Sequence, residues 1–206
     1  MRKILLSLLI PIFLILIFSM SIGFSKNYYL YEFNKIKPEQ QLNLNPKFIR
    51  YSAQILSDYL SRKIDTLEIP GFKNFFNEKE LEHMKDVKNI FRFIIYLTII
   101  NAILIFMILK KQDLPNIFLY SFIPIIVFLI FYLLIPFDKL FTNFHLVLFK
   151  NDLWLLNPES DRLIVLLPEE FFIRASQKIL FFSSISLIFL YLISVILEVR
   201  FEKKDK

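Results

Sequence analysis

The sequence predicts an all-α integral membrane protein with four transmembrane helices, and three observations support that fold class. Hydrophobic residues fill 56% of the 206 positions and charged residues only 21%. Most of the apolar residues fall into four runs of roughly 20 residues, the length that crosses a bilayer as a helix. Cysteine is absent and glycine occurs only twice, which excludes disulfide frameworks, thiolate metal sites and glycine-rich phosphate loops.

The four apolar runs define the predicted spans. The first run follows Arg2 and Lys3 and exceeds the roughly 7 to 15 apolar residues of a cleaved signal peptide, which favours a retained anchor. The predicted spans are residues 4–24, 90–109, 117–135 and 179–197. Two long segments, residues 25–89 and 136–178, connect them, and no boundary indicates a separate soluble domain. We therefore expect a single integral membrane domain over residues 1–206.

Basic residues beside the spans predict the orientation of the chain. Short flanks rich in Lys and Arg tend to stay in the cytoplasm. Such flanks occur before the first span, between the second and third, and after the fourth, at Arg2, Lys3, Lys110, Lys111, Arg200, Lys203, Lys204 and Lys206. This pattern predicts that both termini are cytoplasmic and both long segments lie outside. The net charge of +6 is concentrated beside the spans, which favours membrane lipids over nucleic acid as partners.

The first long segment contains an amphipathic helix that begins after Asn45 and Pro46. Apolar and aromatic positions between residues 48 and 60 recur at helical spacing, with charged side chains among them. Two placements fit this pattern. The helix lies in the lipid headgroup plane, or it packs its apolar face on the rest of the outer segments, and the sequence leaves both open.

A second helix in this segment begins at Asn77. Glu80 follows three residues later, which is the arrangement of a capping box. The helix then continues without a break into the second span. His83 and Asp86 share one of its faces because they are three residues apart. We therefore expect His83 about one or two turns before the membrane boundary, with a carboxylate beside it.

The second long segment contains the predicted membrane-facing active-site segment, residues 144–172. It holds His145, Asn151, Asp152 and the single tryptophan, Trp154, between strongly apolar stretches. Histidine suits acid or base chemistry near neutral pH, and a carboxylate can orient it. Interfacial histidines with structural hydrogen bonds are the competing interpretation. No Lys, Asp or His stands near mid-depth in the spans, which disfavours ion-coupled transport.

A metal site is a further alternative for the same residues. His83, Asp86, His145 and Asp152 together offer two imidazoles and two carboxylates, which are common metal ligands. The segment EHMKD, however, lacks the HExxH spacing of zinc hydrolases. A metal-dependent membrane hydrolase therefore remains an alternative, while the simpler expectation from these residues is histidine chemistry without a metal.

Two segments resemble the bacterial lipoprotein intramolecular transacylases, a family of small four-helix membrane proteins. They are EHMKDVKNIF, which enters the second span, and FHLVLFKNDLWLLNPESDRLIVLLPEEFF, between the third and fourth spans. The resemblance implies an enzyme at the outer face of the bacterial cytoplasmic membrane. Such an enzyme moves the sn-2 acyl chain of a diacylglyceryl-cysteine to the α-amino group of the same cysteine, without a cofactor. The product is an N-acyl lyso lipoprotein, and the family's two histidines correspond to His83 and His145.

The resemblance also implies roles around the reacting groups. We expect His145 to act as the base, with Asp152 orienting it. His83 is then the proton donor or oxyanion partner, steadied by Asp86, although the reverse assignment of the two histidines stays open. Asn151 is a further supporting residue. The chemistry is acid and base catalysis together with positioning of the amine beside the ester.

Three residues are candidates for contacts with the substrate. Trp154 is expected to hold the acyl or glyceryl part, or else to act as an interfacial anchor. Arg162 and Arg50 are expected to contact polar substrate groups. The expected partners are diacylated lipoproteins and membrane lipids. A non-enzymatic membrane factor that binds lipoproteins or lipids is the rival class, and it predicts that substitutions of the histidines are tolerated.

Overall fold

The computed structural model describes residues 1–72, 74–110 and 113–202. Residues 201 and 202 are described by their backbone alone. Within these residues the chain is helical, and the only β-type pairing is an isolated bridge between Ile69 and Phe72. The predicted all-α fold class is confirmed. Of the cationic positions used to predict orientation, Lys111, Lys203, Lys204 and Lys206 lie outside the described residues.

Ten helices make up the described part of the chain. They are α1 Arg2–Gly23, α2 Lys26–Ile36, α3 Pro38–Leu42, α4 Pro46–Leu60, α5 Glu78–Ile108, α6 Leu114–Tyr120, α7 Phe122–Leu134, α8 Phe137–Leu148, α9 Arg162–Leu166 and α10 Glu169–Glu202.

Four helical stretches are long and apolar enough to cross a membrane, as the sequence predicts. They are Arg2–Gly23, Glu78–Ile108, Leu114–Leu134 and Glu169–Arg200. Helix α5 has 31 residues and therefore measures about 46 Å, well beyond the roughly 30 Å of a hydrocarbon core. Its first turns, residues 78–89, are rich in charged side chains, so we treat residues 90–108 as its membrane-spanning part.

The third span is interrupted at Ser121, between α6 and α7. Pro124 stands in the first turn of α7, where its ring lacks an N–H and clashes with the carbonyl of Tyr120, four residues earlier. The Ile117 carbonyl accepts hydrogen bonds from both the Ser121 N–H at 3.0 Å and the Ser121 hydroxyl at 2.8 Å. The interruption therefore has an identifiable cause in the sequence.

Contacts divide the chain into two compact units. The first unit comprises Met1–Ser19, Ile95–Pro136 and Ser176–Lys206, and the second unit comprises Met20–Ile94 and Phe137–Ala175. The single membrane domain over residues 1–206 stays a prediction. In the first unit, Leu6, Ile117 and Leu187 are fully buried at the centre of one apolar core.

Helix α4 supplies much of the apolar core of the second unit. Asn45 caps it by accepting a hydrogen bond from the Lys47 N–H at 2.9 Å, and Pro46 begins its first turn. Along its apolar face, Ala53 and Leu56 are fully buried in the core. Of the two placements open from the sequence, the structure therefore shows packing against the rest of the protein.

Helix α5 begins as the sequence predicts. The Glu80 N–H donates to the Asn77 side-chain oxygen at 2.9 Å, and the Asn77 N–H donates to the Glu80 carboxylate at 2.7 Å. These two reciprocal bonds are the capping box. The helix then continues through His83 to Ile108 without interruption.

Candidate active site

The two histidines come together within the second unit, one from α5 and one from the last turn of α8. Their ring centroids are 6.2 Å apart, and the ring planes are tilted by 31°. Each side chain is only 7% exposed. The whole second and third spans lie between His83 and His145 in the sequence, so this proximity is a product of the fold.

His145 is oriented by its own helix. Its Nδ1 lies 2.7 Å from the carbonyl oxygen of Phe141, one turn earlier in α8. A carbonyl oxygen can only accept a hydrogen bond, so Nδ1 carries the proton in this contact. In the neutral ring, Nε2 then holds the lone pair, which is the form a general base requires.

Aromatic rings surround His145, and we call Phe141, Phe144, Phe149 and Trp154 the aromatic shell. Their centroids lie 4.2, 5.5, 5.5 and 4.8 Å, respectively, from that of His145. Trp154 is stacked on the imidazole with an angle of 30° between the planes. Phe149 also covers His83, at 5.0 Å. The imidazoles therefore lie in an apolar environment with few polar neighbours.

His83 has a polar atom that the protein leaves unpaired. Its Nδ1 is buried and has no hydrogen-bond partner within the described residues. A buried polar group in this state costs about 1–3 kcal/mol, and such groups in native proteins usually have a functional or ligand-related reason. The atom therefore marks His83 as a candidate for contact with a substrate.

Both imidazoles are held in the neutral form. Burial, and to a lesser extent the nearby His145, lower the pKa of His83 to about 4, against the Asp86 carboxylate, which raises it. Burial also lowers the pKa of His145, against the hydrogen bond to the Phe141 carbonyl, which raises it. Both imidazoles are consequently neutral near pH 7, and in each ring one nitrogen carries a proton while the other presents a lone pair.

A side-chain hydrogen bond connects the two segments of the site, and we call Asp86 and Asn151 the clamp. The Asn151 amide nitrogen donates to the Asp86 carboxylate at 2.9 Å. The Asn151 side-chain oxygen accepts a hydrogen bond from the Leu153 N–H at 3.2 Å. The clamp therefore joins α5, one turn after His83, to the turn that precedes Trp154.

Asp152 does not make the contact that the sequence suggests. Its side chain is exposed, and no hydrogen bond or ion pair joins it to His145 in the described part of the chain. The physical reason is local: the Phe141 carbonyl lies one helical turn from His145, whereas Asp152 lies past the end of α8. The structure thus shows no direct contact for this role, and the orientation of His145 by Asp152 stays a prediction.

The metal site considered from the sequence is not assembled. No three His, Asp or Glu side chains cluster as metal ligands anywhere in the described ranges. Asp86 is engaged by Asn151, and Asp152 points into solvent.

The two arginines differ in their surroundings. Arg162 donates a hydrogen bond to the Phe75 carbonyl at 2.9 Å, and its guanidinium lies 4.9 Å above the Phe75 ring. These contacts hold it against the second unit, and contact of Arg162 with substrate stays a prediction. Arg50 is exposed on α4, and no contact with either histidine is found among the described residues. Contact of Arg50 with substrate remains a prediction.

A second polar cluster, which the sequence analysis missed, fastens the start of α5 to the segment before α9. We call Asn77, Glu80 and Asp161 the joint. Asn77 donates to Asp161 at 2.8 Å, and Asp161 accepts a further bond from the Asn157 N–H at 2.7 Å. Glu80 accepts a hydrogen bond from the Leu163 N–H. The capping-box pattern pointed to two of these residues, but their partner across the fold had no signal in the sequence.

Of the aromatic shell, only Trp154 was predicted from the sequence. Phe141, His145 and Phe149 follow one another at intervals of four residues, which brings side chains to the same face of a helix. This spacing was visible in the sequence. The spacing indicates a shared helical face only when α8 is known to begin at Phe137, before the predicted active-site segment at residues 144–172.

Comparison with known proteins gives a consistent result. The model of a family described as lipoprotein intramolecular transacylase Lit matches residues 4–172. The chain is similar to the solved structure of the membrane-integral lipoprotein intramolecular transacylase Lit from Bacillus cereus. The two are 29% identical with a TM-score of 0.79, over 100% of this chain and 97% of that one. No curated protein matches the chain.

Two further structures of the Bacillus cereus protein, each with one histidine replaced, are also similar to the chain. The histidine-to-arginine variant is 26% identical with a TM-score of 0.77, over 100% of this chain and 93% of that one. The histidine-to-alanine variant is 26% identical with a TM-score of 0.76, over 98% and 94% of the two chains.

Proposed function

Because the chain belongs to the lipoprotein intramolecular transacylase family, we propose that it moves the sn-2 acyl chain of a diacylglyceryl-cysteine to the α-amino group of that cysteine. Its family makes it a multi-pass membrane protein and a transferase that acts on lipoproteins. The finer proposal concerns which chain moves, where it goes and which residues assist. The product is a lyso lipoprotein with an N-acyl group.

The bond changes define what the site must do. The amine nitrogen attacks the ester carbon, a carbon–nitrogen bond forms, and the bond from that carbon to the glycerol oxygen breaks. One proton leaves the nitrogen and one reaches the glycerol oxygen, so no external oxidant, reductant or cofactor is needed. A base, a proton donor and stabilisation of the oxyanion are sufficient.

His145 is the base in this proposal, and its hydrogen bond to Phe141 is the observation that supports the assignment. That bond leaves the Nε2 lone pair available in a neutral ring. A substrate α-amino group has a pKa of about 8, and removal of its proton by a histidine costs little free energy near neutral pH. Burial lowers the pKa of His145 and makes it a weaker base than a free imidazole, while the hydrogen bond to Phe141 opposes that effect.

His83 is proposed to assist the oxygen side of the reaction. Its unpaired, buried Nδ1 is available to contact a developing oxyanion or the departing glycerol oxygen. Asp86 lies close enough to favour a positive charge on His83, as its opposing effect on the His83 pKa indicates. The clamp between Asp86 and Asn151 then keeps this carboxylate in place.

Positioning supplies the remaining catalysis. Correct alignment of two reacting groups can contribute roughly 7 to 11 kcal/mol, so a site that holds the ester beside the amine needs little further machinery. The aromatic shell offers an apolar surface for the acyl or glyceryl part of the substrate. Arg50 is proposed to contact a polar group of the lipoprotein.

We also propose that the site faces the outer side of the cytoplasmic membrane. The cationic flanks Arg2, Lys3, Lys110 and Arg200 support cytoplasmic termini by the positive-inside tendency. Diacylated lipoproteins and membrane lipids are then the partners that the site meets, and nucleic acid is not among them.

A label-crossover experiment tests this proposal. Purified protein in lipid receives two diacylated lipopeptides of different peptide mass, one of them with a heavy sn-2 chain. The proposal predicts that mass spectrometry finds the heavy chain on the amine of its own peptide only. Heavy chain on the other peptide, or transfer of the unlabelled sn-1 chain, would contradict it. No covalent product at all would favour a non-enzymatic binding factor, and chelator-sensitive release of fatty acid would favour a metal-dependent hydrolase.

A further inference from the structure

The acyl transfer has a rival reaction at the same ester. Water is a nucleophile too, and a histidine base activates water as readily as an amine. Attack by the amine also closes a medium-sized ring through the cysteine and the glycerol, so rotation about several bonds takes the amine out of reach. A site for N-acylation therefore needs to keep water away from its base.

The surroundings of His145 offer water little support. A buried water typically makes about three hydrogen bonds to polar groups. The ring of His145 is bordered by aromatic side chains, and the Phe141 carbonyl is already engaged by Nδ1. The phenyl rings of the aromatic shell offer water no hydrogen bonds, which leaves the indole N–H of Trp154 and the unpaired Nδ1 of His83 as polar groups near the ring.

Trp154 differs from the other members of the aromatic shell. Phe141 and Phe144 are fixed on α8, and Phe149 is buried immediately after it. Trp154 belongs to the irregular segment between α8 and α9, is half-buried, and covers one face of the His145 ring. Its position depends on a turn that the clamp holds.

We propose that Trp154 is a specificity-determining residue that excludes water from the His145 ring and so makes N-acylation prevail over hydrolysis of the same ester. This inference rests on the proposed function. In the suppressed reaction, the water oxygen would bond to the ester carbon, and the bond from that carbon to the glycerol oxygen would break. The proton would pass to the glycerol oxygen, giving a free fatty acid and a lyso lipopeptide with an unmodified amine.

The experiment compares Trp154→Leu and Trp154→Phe with the wild-type protein in water enriched in heavy oxygen. Mass spectrometry measures the ratio of free-amine lyso lipopeptide to N-acyl lyso lipopeptide, and the heavy oxygen in released fatty acid. We expect this ratio to rise at least about tenfold in Trp154→Leu, with heavy oxygen in the fatty acid, and much less in Trp154→Phe. Leu155→Ala, a change at a neighbouring exposed apolar side chain, is the matched control and should keep the wild-type ratio.

The outcomes separate this inference from the proposed function. Loss of total turnover in Trp154→Leu with an unchanged product ratio would overturn the inference, because Trp154 would then only orient His145. An equal rise of the ratio in Leu155→Ala would overturn it as well. Absence of N-acyl product from the wild-type protein would instead contradict the proposed function. The ratio is measured per molecule of product, so lower protein yield of a variant does not affect it.

Discussion

The joint and the histidine site are two polar clusters of the second unit, and they differ in whether their buried polar atoms have hydrogen-bond partners. In the joint, both oxygens of Glu80 accept backbone hydrogen bonds, and both oxygens of Asp161 accept bonds as well. In the histidine site, His83 has a buried nitrogen without a partner among the described residues, and rings surround His145.

This difference indicates which cluster stabilises the fold and which one is available for catalysis. Satisfied buried polar groups fix a fold, because removal of one partner leaves the other unpaired and costs about 1–3 kcal/mol. An unsatisfied buried group lowers the stability of the fold and remains available to contact a substrate. We therefore expect substitutions in the joint to lower stability and substitutions in the histidine site to lower turnover, and four predictions test this contrast.

The largest effect is expected for His83→Leu. The substitution removes the unpaired nitrogen while keeping an apolar side chain in the site, so thermal stability should stay constant or rise. Turnover should fall about 10²- to 10⁴-fold, the range typical of a lost acid or base catalyst. N-acyl product by mass spectrometry and the unfolding midpoint in detergent check both parts. Wild-type turnover would show that His83 is structural.

The pH dependence of stability is the second prediction. In the unfolded chain His83 binds a proton below about pH 6.5, whereas the folded protein resists protonation until about pH 4. The unfolded state therefore binds more protons in this window, and stability falls as pH decreases through it, by an amount on the order of 3 kcal/mol. Unfolding midpoints between pH 4 and 8 should show this slope, and His83→Leu should flatten it. An identical slope in the variant would contradict the lowered pKa.

Glu80→Gln tests the joint. One oxygen becomes an NH₂ group that faces a backbone N–H, so one buried hydrogen bond is lost and the free energy of unfolding should fall by about 1–3 kcal/mol. Turnover per folded molecule should remain near the wild-type value. Glu82→Gln is the matched control, since Glu82 is exposed on the same helix. Equal stability of the two variants would contradict the claim that the joint stabilises the fold.

The smallest effect is expected for Asn151→Ala, which opens the clamp. The lost hydrogen bond is exposed, and its contribution of about 0.5–1.5 kcal/mol corresponds to a decrease in turnover of about two- to tenfold. Asn143→Ala, at an exposed asparagine on α8, is the control. Kinetics on a diacylated lipopeptide distinguish the two, and equal rates would show that the clamp does not position the site.

Local features of the fold followed directly from the sequence. The spans, the capping box at Asn77 and the uninterrupted passage of α5 into the membrane depend on hydrophobic runs and on residues a few positions apart. The orientation of the spans placed His83 and His145 in segments on the same side of the membrane, and the structure brings the two rings to 6.2 Å. Contacts between residues close in the chain, and the side of the membrane on which a segment lies, can be predicted from a sequence.

Contacts across the fold did not follow in the same way. Asp152 was expected to orient His145, whereas the contact that the structure shows is with the Phe141 carbonyl, and a backbone group has no residue-type signature. The packing of Arg162 against Phe75, in a segment far away in the sequence, had no signal in the sequence either. Such pairings depend on the packed structure.

The most direct test of the account is the turnover of His145→Ala beside Thr142→Ala, an exposed position one turn earlier on α8. Both variants are assayed in lipid with the labelled diacylated lipopeptide, and their unfolding midpoints are measured together. The account predicts that His145→Ala remains folded in the membrane while formation of N-acyl lyso lipopeptide falls at least about 100-fold. It predicts wild-type turnover for Thr142→Ala. Turnover of His145→Ala within a few-fold of wild type would contradict the assignment of His145 as the base.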